Sequence, residues 1–423
     1  MPPEQVPATE PLHAAAARLN GLSLISYNML LPNSGDGWWV YKYYDDTVPE
    51  AVRTWPHRHR LLKTQLLGEM ADIVCLQEAR EESLGEDLAF MADAGYGARL
   101  HRKGRMRCVT FFRTDRLRCL HERHTDKALA LLLQLLDQPQ QHLAVVNVHL
   151  NAAPAPRRRF RQVVDALDAL RKDLKRHGIA PEGASVVVCG DFNARPQDSA
   201  TDHFLRGGVV DAAHREPGWP DEVLSSRPRT SPLQSMQEAY QQALGRSPVT
   251  LFGGRLSAIT PREGDPTPAA LLDAIDRLFD RFASDDGVMD GAAVGAWITL
   301  INRAPDRGSE HRKAQALLAS RPEGVLRRED LRALYLSELE EGKHWSIQHD
   351  LQVAGVLISE ERELFLASLD RIYTTGDSVT LLGVWEPLSE GRRAQLMAER
   401  IGLPCAWHPS DHLPIGAVFS LRL

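Results

Sequence analysis

A layered α/β domain interrupted by an all-helical insertion is the fold class that the sequence predicts. Three observations carry the prediction. Short apolar runs of strand type alternate with segments whose apolar residues recur at helical spacing. The run Val186-Val187-Val188-Cys189 is apolar on both alternating faces, as in a strand covered by layers above and below. From about residue 237 to 363 the pattern turns almost wholly helical, and strand runs return only after it. The expected division is a flexible N-terminus at 1–20, an α/β part at 21–236, the insertion at 237–363 and a second α/β part at 364–423. A surface loop tolerates such an insertion because the entropy of loop closure grows slowly with length.

In chain order, 22–30 reads as a strand that carries Asn28, and a loop rich in Gly, Trp and Tyr follows at 35–44. Residues 58–70 place Leu61, Leu62, Leu66, Leu67 and Met70 at helical spacing, and 71–78 is a strand ending in Glu78. Residues 84–94 read as helical, 106–113 and 128–136 as strands. Asp137-Gln138-Pro139-Gln140 turns the chain into the strand 143–150, which carries His149, and 160–175 is an amphipathic helix. The valine run then breaks at Gly190 and presents Asp191 and Asn193 before Pro196 stops it. Residues i and i+2 of an extended segment face one side, so Asp191 and Asn193 pair there while Phe192 turns inward. Loop material is expected at 253–268 and 304–309, and strands at 368–375, 379–385 and 415–421.

At 423 residues the chain exceeds one ordinary core, with 43% hydrophobic and 25% charged residues. A formal net charge of −6 argues against coating nucleic acid through bulk charge, though not against a local phosphate pocket. The five cysteines show no paired spacing, which fits a reduced, cytoplasmic setting. No stretch has the length of a membrane span, and the N-terminus lacks the basic start and apolar core of a secretory signal. A soluble protein is expected.

The polar residues gather at strand ends and turns: Asn28, Glu78, His149, Asp191 with Asn193, Asp370, and Asp411-His412. Each alone has a routine explanation as a cap or a satisfied polar group. Six separate segments carrying Asn, Asp, Glu or His favour one polar site, since layered sheets collect functional residues at one edge. Carboxylate and amide oxygens without a thiolate suit Mg²⁺ or Mn²⁺ rather than zinc. Imidazoles beside them supply proton carriers and phosphate donors, so the set describes metal-assisted hydrolysis of a phosphate ester. There is no P-loop or dinucleotide fingerprint.

Ser26-Tyr27-Asn28, Leu76-Gln77-Glu78, Asn147-Val148-His149-Leu150, Gly190-Asp191-Phe192-Asn193, Leu369-Asp370-Arg371-Ile372 and Ser410-Asp411-His412 resemble the ordered motifs of the endonuclease/exonuclease/phosphatase superfamily. The resemblance implies a two-sheet α/β sandwich of the DNase I-like type and a divalent-metal phosphodiesterase or phosphatase. It implies that Glu78 ligates the metal with Asn28 and Asp411 nearby, and that Asp191 and Asn193 act on the attacking water and the phosphate. His412, held by Asp370, would hydrogen-bond the phosphate or act as general base, and His149 would stabilise developing charge or the leaving group. Cys189 and Ser368-Leu369 stand where inositol polyphosphate phosphatases carry Trp motifs. The ending Leu403-Pro404-Cys405-Ala406-Trp407-His408-Pro409-Ser410-Asp411-His412-Leu413 is similar to the deadenylase, nocturnin-like branch. Gly37-Trp38-Trp39-Val40-Tyr41-Lys42-Tyr43-Tyr44 and Thr54-Trp55-Pro56-His57-Arg58 resemble a narrower group with an EF-hand-like insertion.

Within the insertion, residues 278–290 resemble an EF-hand, an incoming helix followed by acidic residues around Gly287. With Gly287 at the sixth loop position only Ser284, Asp286 and Asp290 fit the ligand pattern, so Ca²⁺ is expected to bind weakly or not at all. A second, more degenerate hand is read at 338–345. The insertion then serves as a module that packs beside the site or recruits a protein partner. Arg157 and Arg158 begin a basic run that reads as a helix start or a phosphate-steering patch. Trp38 and Trp39 read as base-stacking residues or loop anchors. The expected activity is a 3′-to-5′ exoribonuclease acting on RNA. The alternatives are a phosphatase or phosphodiesterase on a nucleotide or other small phosphate ester, and a calcium-responsive scaffold.

Overall fold

The computed structural model describes residues 2–152, 155–195, 199–260, 266–357 and 361–422, so Pro196 lies outside the described residues. Two mixed sheets face one another, one of seven strands and one of six, and a two-stranded ribbon stands beside them. In the six-stranded sheet, His142–His149 lies parallel to Ser185–Asp191, and Asp370–Thr375 runs antiparallel on the other side. In the seven-stranded sheet, Leu22–Asn28 is parallel to Ile73–Ala79 and antiparallel to Ile415–Leu421.

Alternation along the strands builds the layers. Val187 and Cys189 point into the core between the sheets with Leu24, Cys75, Leu131 and Ile372. Val186 and Val188 point outward onto Phe160, Val163 and Leu167 of the helix Pro156–Arg176. The valine run is therefore buried on both faces. On the outside of the other sheet, Ile25, Val74 and Val109 receive the helices Leu12–Leu19 and Trp55–Glu69. The polar residues that enter the inter-sheet space satisfy one another: Asn147 accepts from Gln77 at 2.8 Å and donates to the carbonyls of Leu76 and Val109.

Two expectations are corrected. The N-terminus is not a flexible tail, because Glu4–Val6 adds a parallel strand against Gly383–Trp385 and Leu12–Leu19 covers the sheet. Three residues between prolines are too short to show a strand period. The stretch 237–268 is also not simply helix and loop. Tyr240 of the short helix Ala239–Leu244 enters the inter-sheet core and donates to the Trp385 carbonyl at 2.7 Å. Leu251–Leu256 pairs antiparallel with Arg362–Ala367, a ribbon that frames the helical module. Within that module the helices Ala269–Phe282, Gly291–Asn302 and Arg328–Glu340 bury Leu278, Trp297 and Tyr335 in a separate core.

Candidate active site

Gly190 opens the site. Its φ is +139°, and a Cβ there would lie 2.0 Å from the Val148 carbonyl oxygen, so only glycine allows the two parallel strands their approach. The register then sets His149 directly opposite Asp191 on one side and Asp370 opposite it on the other. Asp370 is the first residue of its strand, but the antiparallel direction brings that end to the same edge. Asn193 does not reach the edge by strand alternation. It has φ +48°, and its N–H donates to Asp191 Oδ1 at 2.8 Å, an Asx turn. Its amide then donates to the Leu150 carbonyl at 2.9 Å, while Phe192 turns into the core against Tyr373.

The opposite sheet supplies the other half. Asn28 Nδ2 donates to Glu78 Oε1 at 3.2 Å and to Asp191 Oδ2 at 3.1 Å, which joins the two sheets. Glu78 Oε2 accepts from the Leu31 N–H at 2.9 Å. His149 Nε2 lies 3.7 Å from Glu78 Oε1 and 3.8 Å from Asp191 Oδ2. His412 Nδ1 donates to Asp370 Oδ2 at 2.7 Å, which leaves Nε2 directed to Asp191 at 4.0 Å. The turn 408–412 is tied down separately. Ser410 Oγ donates to the Asn28 carbonyl at 2.7 Å, and the His408 ring pairs with the His412 carbonyl at 2.8 Å. Burial lowers the His408 pKa to about 4, so it stays neutral and structural.

All eight expected residues therefore meet: Asn28, Glu78, His149, Asp191, Asn193, Asp370, Asp411 and His412 surround one edge. Burial pushes the Asp411 carboxyl up to about 6 and raises Asp191 as well, opposed in both cases by His412. Burial works against the charged form of His412, but the Asp370 and Asp411 carboxylates outweigh it and raise its pKa. Among the described residues no Lys or Arg pairs with Glu78, Asp191 or Asp411. Carboxylate oxygens with no Lys or Arg partner among the described residues fit a hard divalent ion, which would also hold them ionised. The ligand atoms of Asp191, Asp370 and His412 lie within 4.8 Å of one another. The hydrogen bond between Asp370 and His412 occupies that pair, while Glu78 and Asp411 line the same cavity as further carboxylates.

Other expected residues lie elsewhere. Arg157 and Arg158 are exposed on the first turn of their helix, Arg158 lies 3.7 Å from Asp126, and neither lines the cavity. Trp38 and Trp39 line a neighbouring cavity. In the 283–290 loop, Asp290 caps the next helix by accepting from the Ala293 N–H at 2.8 Å, and Ser284 Oγ donates to the Val288 carbonyl at 3.2 Å. Met289 forms a backbone bridge with Leu326, so the loop's partner is 321–327 rather than 338–345. Asp286 is exposed.

Two residues were missed. Thr250 Oγ1 accepts from the Leu369 and Asp370 N–H groups at 3.1 and 3.2 Å and so seats Asp370. Arg58 is fully buried and donates to the carbonyls of Met29, Leu30, Leu31 and Pro409, which locks the loops after Asn28 and before Asp411 together. Its place inside the Thr54–Arg58 motif was the available signal. The cavity of about 310 Å³ above the cluster is walled by the ribbon at Gly253, Arg255 and Phe365 and by Trp345 of the helical module.

Two facing sheets with carboxylates, amides and imidazoles converging at one edge define a hydrolase that acts on phosphate esters. The family model "Endonuclease/Exonuclease/phosphatase family" matches residues 25–412, and the chain belongs to that family. It is 27% identical over 234 residues to the CCR4-Not complex 3'-5'-exoribonuclease subunit Ccr4 of Candida albicans, covering 45% of this chain and 29% of that protein. It is 28% identical over 236 residues to carbon catabolite repressor protein 4 homolog 2 of Arabidopsis thaliana, covering 45% and 38%. The chain thus matches well under half the length of these curated relatives. Among solved structures, ANGEL2, a 2',3'-cyclic phosphatase in complex with adenosine-2',3'-vanadate, aligns with a TM-score of 0.53 at 17% identity, covering 96% of this chain and 97% of that one. No described helix is long and apolar enough to cross a membrane.

Proposed function

We propose that this chain is a divalent-metal-dependent phosphoesterase of the deadenylase branch that removes nucleotides from the 3′ end of RNA. The observation that carries the reading is the convergence of Asn28, Glu78, Asp191 and Asp411 from both sheets around one cavity, where among the described residues no Lys or Arg pairs with the three carboxylates. The similarity to the Ccr4 exoribonuclease subunits supports the direction of attack. Glu78, with Asn28 and Asp411, would hold Mg²⁺ or Mn²⁺. The ion would polarise the phosphoryl oxygen and neutralise charge on the phosphate.

The chain's own groups do the rest. Asp191 orients the attacking water and draws on its proton, at the point where His149, Asn28, Asn193 and His412 surround its carboxylate. Asp370 fixes the His412 tautomer by accepting the hydrogen bond from Nδ1–H, so Nε2 faces the phosphate as donor or proton acceptor. His149 stands beside Glu78 to stabilise the leaving oxygen. A second reading, a phosphatase or phosphodiesterase on a free nucleotide or other small ester, is favoured by the cavity's size, which encloses about one nucleotide.

Hydrolysis of oligo(A) measured against free nucleotide phosphates, with Mg²⁺ or Mn²⁺ present, separates the two readings. Chelation should abolish turnover and added metal restore it. Asp191→Ala and Glu78→Ala should each lower kcat by about 10³-fold or more with an unchanged circular dichroism spectrum. Turnover retained in either variant, or no hydrolysis of either substrate class by the wild type, sinks the assignment.

A further inference from the structure

A second cavity of about 350 Å³ adjoins the first, and Trp345 lines both. Its walls come from two distant parts of the chain. Trp38 and Trp39 belong to the 3₁₀ segment Gly35–Tyr43, whereas Ser309, Arg312, Lys343 and Trp345 belong to the helical module. Trp345 sits inside an aromatic stack, 4.2 Å from Tyr43 at an interplanar angle of 19° and 5.5 Å from Trp39 at 29°. Tyr43 lines the catalytic cavity and Trp39 the second one, so the stack is the partition between them. Trp38 is only partly buried and carries Arg307 over its ring at 5.8 Å.

The charge at the rim is unlike that of the chain as a whole, whose net charge is −6. Arg105 and Arg312 are exposed at the cavity and make no ion pair among the described residues. Lys42 and Lys343 lie deeper and are already matched to Asp350 and Glu338. The free cations thus stand at the mouth and the aromatic faces inside. Unpaired arginines at the mouth of a cavity lined by aromatic side chains, next to a site that takes one terminal nucleotide, are the features by which proteins track single-stranded nucleic acid.

We infer that this second cavity is the subsite for the RNA nucleotides upstream of the dinucleotide that flanks the scissile phosphate, with bases stacked on Trp38 and phosphates met by Arg105 and Arg312. The inference rests on the phosphoesterase reading above, which supplies the terminal nucleotide's place. It gives the helical module a role in catalysis by a path other than calcium: the module carries Trp345 and Arg312 to the substrate. A chain occupying both cavities binds more tightly than a dinucleotide, and its affinity falls more steeply with salt, by roughly 0.7 in log–log slope for each phosphate neutralised.

The test compares ApA with an A₈ oligonucleotide, both as substrates and, by fluorescence anisotropy of labelled A₈, as ligands of the full chain in EDTA. The double variant Arg105→Glu/Arg312→Glu changes exposed residues and leaves the fold intact. It should raise KM for A₈ about tenfold, leave kcat and KM for ApA unchanged, and flatten the salt dependence of A₈ binding. Trp38→Ala should weaken A₈ binding by a similar factor without altering the salt slope. Equal wild-type KM values for ApA and A₈, or equal losses on both in the double variant, overturn the inference and leave the phosphoesterase reading standing. If neither substrate is cleaved, the phosphoesterase reading fails, and charge-dependent A₈ binding lost in the double variant still supports the subsite. Absence of A₈ binding overturns it.

Discussion

Glu78 and Asn193 hold backbone conformations with positive φ, +68° and +48°. Asparagine tolerates that region, but a glutamate there carries a strain of about 1–3 kcal/mol. The strain coincides with a bulge that breaks the pairing to Arg107–Arg113 between Leu76 and Ala79. The bulge aims the Glu78 carboxylate at Asn28 rather than along the sheet face. Elsewhere a single carboxyl makes stability depend on pH. Glu238 is buried and caps the helix Ala239–Leu244 through the N–H groups of Tyr240 and Gln241. Burial raises its pKa from 4.5 to about 7 in spite of those bonds. The native state therefore binds the proton more tightly than the unfolded chain does. Its stabilising contribution is complete below pH 4.5 and is lost as pH rises through about 7. Glu238→Gln should remove that slope, on the order of 3 kcal/mol across the window, in urea melts at pH 4.5 and 7.5. An unchanged slope in the variant would refute it.

Among elements, the strand Ser185–Asp191 decides most of the geometry. Gly190→Ala should cost about 3 kcal/mol or more, because the added carbon meets the Val148 carbonyl and φ is +139°. It should also lower activity beyond the loss of folded protein, since Asp191 and His149 shift together. A variant with wild-type stability in denaturant titration would refute that reading. This strand was legible because four apolar residues buried on both faces leave little ambiguity, and so were Asn28, Glu78 and His149 at the ends of similar runs. Glu4–Val6, Tyr96–Leu100 and Leu251–Leu256 were not legible. The first is too short for a period, and the last contains Gly253 and Gly254, which read as loop until Phe365 and Leu364 pair across from them. Thr250 and Arg58 escaped for a different reason. Their bonds reach backbone groups that are distant in sequence, and periodicity carries no record of such partners.

At the scale of the whole molecule, the helical module is fastened to the sandwich by charge as well as by aromatic packing. Lys42, fully within the interface, pairs with Asp350 at 2.9 Å and approaches Glu310 at 3.8 Å. Tyr41 donates to the Ile301 carbonyl at 3.0 Å beneath Arg303, which lies 3.6 Å over its ring and reaches Glu50 at 2.6 Å. Arg362 closes the other side on Asp45 at 2.9 Å. A buried pair adds little net stability over apolar residues of the same shape, but breaking it from one side leaves an uncompensated charge. Asp350→Ala should therefore cost about 3–5 kcal/mol, and Lys42→Met/Asp350→Leu should recover most of that loss. Because the same interface holds Trp345 against Tyr43, the single variant should also weaken turnover below its melting temperature, and the double variant should restore it. Calorimetry should show one cooperative transition in the wild type. In Asp350→Ala, an early transition for the module alone, with the sandwich melting unchanged, would instead mean that the two cores fold independently and that the ion pair does not join them.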